Sequence, residues 1–130
     1  MQYIGLIGRI LFSLLFIMAA LMGHFGALED TAGYAAAMGI PAPKVAVIVT
    51  GIMILLGGLS VLLGYQVKIG TALLVIFLLA TNFMIHKFWA MPDAMQMQIQ
   101  MSMFMKNLSL AGAALYFFHA GTGSMSLGKS

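Results

Sequence analysis

The chain has 130 residues, of which 62% are apolar and only 7% charged, against roughly 25% charged in an average soluble domain. No soluble domain of this size has enough interior to hide that much apolar surface, so much of it must face lipid. Six cations and three acids are too few for the clustered footprint of a nucleic-acid binder, and the lack of cysteine excludes thiol catalysis, disulfides and cysteine-ligated iron–sulfur clusters.

The first apolar run follows Arg9 and resembles a signal peptide, with a charged start and an apolar stretch. Three more apolar runs follow it, with no soluble domain to export. The first run is therefore expected to be a retained helix over about residues 4–23. A loop of about twenty residues comes next, holding Glu29, Asp30, Pro41 and Pro43. A short amphipathic helix is expected within it at about residues 31–38, lying on the membrane surface with Asp30 as its cap. The two prolines break the chain before a second helix at about residues 45–63. Gly64 to Lys68 read as a tight turn, and a third helix follows at about residues 69–87. Pro92 and Asp93 mark the next loop.

The fourth segment is ambiguous locally. Met95 to Met105 alternate between methionine and polar residues, a strand-like period. An isolated strand has open edges that lipid does not tolerate. Methionine and glutamine also favour helix, and β-branched residues are nearly absent here. The segment is expected to be a helix at about residues 98–119. Arg9 and Lys106 then lie a turn or two inside their spans, where their long stems are expected to snorkel to the interface.

The predicted fold is an all-α integral-membrane four-helix bundle forming a single domain over residues 1–130. Four spans put both termini on one side, with Arg9, Lys68 and Lys129. The opposite side carries Lys44, Lys87, Lys106, Glu29, Asp30 and Asp93. The cation counts tie, so the positive-inside rule decides little; cytoplasmic termini are the expectation. Small residues such as Gly51, Gly57, Gly58, Gly70 and Gly112 allow helix backbones to approach closely.

The candidate site lies at the long-loop end. Asn82 and His86 are four apart, hence on one face of the third helix. Lys106 and Asn107 open the fourth helix at the same depth, His24 closes the first, and Trp89 adds an interfacial aromatic. These six residues could ring a small pocket suited to a quinone headgroup. The competing reading makes them polar helix ends and interhelical hydrogen bonds. His24 and His86 are also a weak pair of ligands for haem or a metal; haem is disfavoured, and no metal site is assigned. His119 lies at the opposite end, at the depth of Arg9. Thirteen methionines suit Cu(I) in principle, but methionine is also an ordinary gap-filler. No membrane-embedded carboxylate is present, which counts against proton-coupled transport.

Several elements together resemble the DoxX-like small membrane proteins of bacteria, over nearly the whole chain. They are Gly8-Arg9 in the first helix, Ala36-Ala37-Met38-Gly39-Ile40-Pro41 before the second, and Gly57-Gly58 with Leu63-Gly64 and Lys68 after them. Phe104-Met105-Lys106-Asn107-Leu108 opens the fourth, and Gly121-Thr122-Gly123 with Ser126-Leu127 forms the tail. His86-Lys87-Phe88-Trp89 and the Lys-Asn-Leu element are most similar to an enterobacterial inner-membrane branch. The resemblance implies four helices in the bacterial inner membrane and a link to redox chemistry, since some relatives are subunits of quinone-reducing complexes. Many relatives carry a Glu where this chain has Ile54, and a Lys where it has Gly26 and Ala27; functions resting on those charges do not carry over. The expected function is an accessory or quinone-contacting subunit of a redox system, with lipid, membrane partner proteins and a second copy of the chain as partners. The alternative is a non-enzymatic scaffold, assembly factor or binder of small hydrophobic ligands.

Overall fold

The computed structural model describes residues 2–121, and these are helical with short connections. Helix α1 covers Gln2–Met18 and continues as a π-helix over Ala19–Phe25. Then come α2 (Leu28–Ala37), α3 (Pro43–Leu63), α4 (Val67–Met84), a 3-10 turn (Phe88–Ala90) and α5 (Ala94–Ala120). The tail motif from Thr122 onward, including Ser126, Leu127 and Lys129, lies outside the described residues.

Among the described residues, three segments are long and apolar enough to cross a membrane: Tyr3–Phe25, Pro43–Leu63 and Val67–Ala90. Their outer faces carry exposed Leu11, Leu14, Ile52 and Ile76, as lipid contact requires. Helix α5 is 27 residues long, but its glutamines, Lys106 and Asn107 dilute its apolar character. Length and composition alone therefore mark three spans rather than four.

The helices pack α1 on α3, α3 on α4 and α4 on α5. Phe12 and Phe117, with ring centroids 5.2 Å apart, bring α1 to α5. Phe16, Ile54, Val61, Leu74, Leu78 and Ala114 fill the shared core. Glycines set the closest approaches. A Cβ on Gly57 would lie 2.6 Å from the Leu74 side chain, and one on Gly70 would lie 2.3 Å from Ser60. Both are α3–α4 contacts, in agreement with the small-residue reading of the sequence.

Several boundaries differ from expectation. The first helix runs to Phe25, its last seven residues as a π-helix. Helix α2 begins three residues earlier than expected, so Asp30 lies within its first turn and does not cap it. Glu29 and Asp30 there still favour the positive end of the helix dipole. Helix α5 starts at Ala94, where the Asp93 carboxylate accepts the Gln96 amide at 2.8 Å. That is an N-cap, and it fixes a start that the Met–Gln alternation had concealed.

Arg9 is the largest correction. The sequence reading sent it to the interface by snorkelling, but its side chain is only 1% exposed. Its guanidinium donates to the carbonyl of Leu62, in the last turn of α3, at 3.3 Å. Ser13, one turn further along α1, is buried beside the same helix interface.

Candidate ligand site

The long-loop end is organised by α2. Ala32 and Ala35 of α2 pack against Val47 of α3, with Leu28 and Ile40 around them, in a small second core. The connection from α2 to α3 turns through Gly39 at φ 86 and Ala42 at φ 45. Glycine adopts such a conformation freely; alanine adopts it at a cost. Pro43 then opens α3 at a position that needs no amide hydrogen. At the surface, the Lys44 ammonium meets the Glu29 carboxylate at 2.6 Å, tying α2 to the start of α3.

This folding-back roofs a cleft of about 340 Å³, at the lower end of the roughly 300–1,000 Å³ usual for small-molecule sites. One face of α3 contributes Ala46, Thr50 and Met53, at helical spacing. One face of α4 contributes Phe77, Ala80, Thr81 and Met84. Thr31 and Tyr34 line it from α2, and His24 and His86 complete it. The walls are almost wholly apolar, so each polar atom in them is individually significant.

The π-helix places His24. A π turn is wider than an α turn and shifts the register of the side chains that follow; such segments are often found at functional sites. His24 Nδ1 lies 3.1 Å from the Val47 carbonyl and 3.3 Å from the Thr50 hydroxyl. Its ring packs at 5.9 Å from Phe77. Gly51 makes the approach feasible, since a Cβ there would lie 2.9 Å from His24 and from Phe25. Thr31 closes the same corner by donating to the Gly23 carbonyl. His86 follows the end of α4, where the Ile85 and His86 amides both bond the Thr81 carbonyl. Its Nδ1 lies 2.7 Å from Gln100 Oε1 on α5.

The six residues expected to ring one pocket are divided by the structure. His24 and His86 line the cleft. Asn82 is fully buried and donates to the Phe104 carbonyl at 3.1 Å, so it faces α5 instead. Asn107 is buried in α5. Lys106 is exposed, its ammonium 3.6 Å from the Met103 sulfur. Trp89 is 53% exposed, among Phe83, Phe88 and Phe104. The sequence argument used depth, which is shared, and assumed that α4 continued to Lys87. It ends at Met84, so His86 lies beyond the helix: it lines the cleft, while its Nδ1 reaches Gln100 of α5, one turn from the Phe104 carbonyl that Asn82 bonds. The expectation that Lys106 faces the interior fails because the buried stripe of α5 runs through Asn107, Ala111 and Ala114, and Lys106 is about 100° away from Asn107 around the helix.

The family model described as DoxX matches residues 4–87. The chain belongs to the DoxX family. Every residue lining the cleft, from His24 to His86, falls within the matched segment. Inner membrane protein YphA of Escherichia coli strain K12 is 32% identical over 125 residues, covering 95% of this chain and 87% of the relative. Inner membrane protein YqjF of the same organism is 32% identical over 127 residues, covering 95% and 88%. No solved structure matches the chain. With its apolar spans, this places the DoxX-family protein among bacterial inner-membrane proteins.

Thr31, Thr50, Thr81 and Tyr34 are cleft residues that the sequence reading did not select. A usable signal existed for two of them. Thr50 and Thr81 are hydroxyls inside otherwise apolar helices, at the same depth as the histidines. For Thr31 and Tyr34 there was none, because the folding of α2 over α3 depends on the small contacts around Val47.

Proposed function

We propose that this DoxX-family protein binds a small lipophilic ring compound of the quinone class in the cleft under α2, and so serves a membrane redox system as an accessory subunit. The observation that carries the reading is the pairing of two imidazoles with nearly continuous apolar walls, in a cleft of about 340 Å³. Apolar walls with a few placed polar groups are the usual composition of a small-molecule site. Purification from native membranes in mild detergent, followed by lipid extraction and mass spectrometry, tests it. A quinone or quinol should co-purify, and Ala80→Trp should reduce it at least tenfold, about 1.4 kcal/mol of binding. Ala80 is an exposed residue of the wall, so the substitution fills the cleft without entering the core. If no ring compound is retained by the folded parent protein, the alternative of a non-enzymatic scaffold or assembly factor takes its place.

The same proposal takes α5 as a fourth crossing, giving a four-helix membrane bundle with both termini cytoplasmic. Residues 100–120 of α5 run beside α4 from the level of His86 onward, and twenty-one residues rise about 31 Å, close to a bilayer core. Reporter fusions at Ser130 and within residues 29–42 should read opposite sides. Three crossings would put both reporters on the same side.

A further inference from the structure

We infer that the cleft is built to accept hydrogen bonds from its occupant, which selects a ring bearing phenolic hydroxyls, as a hydroquinone does, over one bearing only carbonyls. The inference rests on the ligand-binding reading above and narrows its substrate class.

The argument follows the hydrogens. His24 Nδ1 lies 3.1 Å from the Val47 carbonyl. A carbonyl oxygen only accepts, so Nδ1 carries the proton. In the neutral ring, Nε2 then holds a lone pair and no hydrogen. His86 is held the same way, with Nδ1 donating to Gln100 Oε1 at 2.7 Å. The Thr31 hydroxyl donates to the Gly23 carbonyl. The Thr50 hydroxyl donates to the Ala46 carbonyl at 2.8 Å, with Val47 at 3.2 Å. Four polar groups of the cleft have thus committed their hydrogens to the protein. What they leave over is acceptor capacity: two imidazole nitrogens and two hydroxyl oxygens. Only the Tyr34 and Thr81 hydroxyls, which bond no described residue, remain able to donate.

An occupant with O–H groups satisfies the two Nε2 atoms. An occupant with carbonyl oxygens alone sets lone pairs against lone pairs there, a mismatch that binding sites use to reject wrong ligands. A neutral imidazole whose Nδ1 hydrogen is fixed on a carbonyl is also how metal-binding histidines are held. Among the described residues, however, no three His, Cys, Asp or Glu side chains gather to hold an ion. The apolar walls fit an organic ring.

The test uses the protein in lipid nanodiscs, with empty nanodiscs as the partition reference. The probes are 4-hexylphenol and 4-hexylanisole, which share ring and tail but differ in the O–H. The phenol should bind about tenfold more tightly, the effect of leaving a buried acceptor unpaired. His86→Leu and His24→Leu should each shrink that ratio. In the parent protein, the phenol should move the 15N resonances of histidine Nε2 and leave Nδ1 in place, a readout that needs no variant. Equal binding of the two probes, with both blocked by Ala80→Trp, would overturn the inference and leave the ligand-binding reading intact. An undiminished phenol preference in both histidine variants, or Nε2 resonances that stay fixed on saturation, would also overturn it. The absence of saturable binding by either probe would remove the cleft reading and the inference with it.

Discussion

Gly57→Leu should collapse the contact between α3 and α4 and destabilise the protein strongly. A Cβ at position 57 would lie 2.6 Å from Cγ and Cδ2 of Leu74 and 2.9 Å from the Gly70 carbonyl. Leu74 is fully buried in the core, so it has no free space to move into, and the Gly70 backbone is fixed by its helix. Overpacking a core typically costs about 1–3 kcal/mol. Here the cost falls at the upper end or beyond, because two backbones must separate. Thermal unfolding in detergent measures it. Gly112→Leu provides the control: Gly112 is also in the middle of a long helix, but nothing lies within 4 Å of a Cβ there. That variant should be neutral or slightly stabilised, as glycine is a poor helix residue. A Gly57→Leu protein as stable as Gly112→Leu would mean that α3 and α4 do not pack through this glycine.

The contrast between these glycines bears on how much of the fold the sequence could show. Apolar length located three of the four expected spans, because lipid imposes one dominant constraint on them. Boundaries were less legible where a local rule competed with it. The Met–Gln alternation hid the start of α5, although Asp93 is an ordinary N-cap. The π-helical end of α1 had no sequence signature, since it depends on Gly51 admitting His24 and Phe25 to α3. Gly57 and Gly112 are the same residue in similar apolar surroundings, yet only one sits at a contact. Sequence shows where close approach is allowed and not where it occurs.

The candidate site was legible to the level of depth. His24 and His86 do meet in one cleft. Asn82 belongs to the seam between α4 and α5, where it bonds the Phe104 backbone, and Asn107 is buried on α5. Rotation about each helix axis decides which group a side chain joins, and a helix that ends at Met84 instead of Lys87, three residues early, changes that rotation. Ile54 supplies a related example. It lies in the middle of α3, yet its side chain is fully buried within the apolar core and does not line the cleft.

Arg9→Met is the second substitution with a large expected effect, and it separates a structural role from an orienting one. Helix α3 ends at Leu63, so its last carbonyls lack partners within the helix. The Gly64 and Tyr65 amides satisfy those of Val61 and Ser60. The Leu62 carbonyl receives the Arg9 guanidinium from α1. Arg9 therefore caps a neighbouring helix, and its charge sits at the negative end of that helix dipole. Methionine has similar length and suits the apolar surroundings, but it leaves the Leu62 carbonyl without this donor. Hydrogen bonds to charged groups contribute about 1.5–3 kcal/mol, and a loss of that size is expected in thermal unfolding. Lys keeps the charge but not the planar fork, so Arg9→Lys should fall between the two. Reporter fusions should show unchanged orientation in both variants. If Arg9→Met instead unfolds at the parent temperature while its reporters change sides, Arg9 serves insertion and the cap contributes nothing.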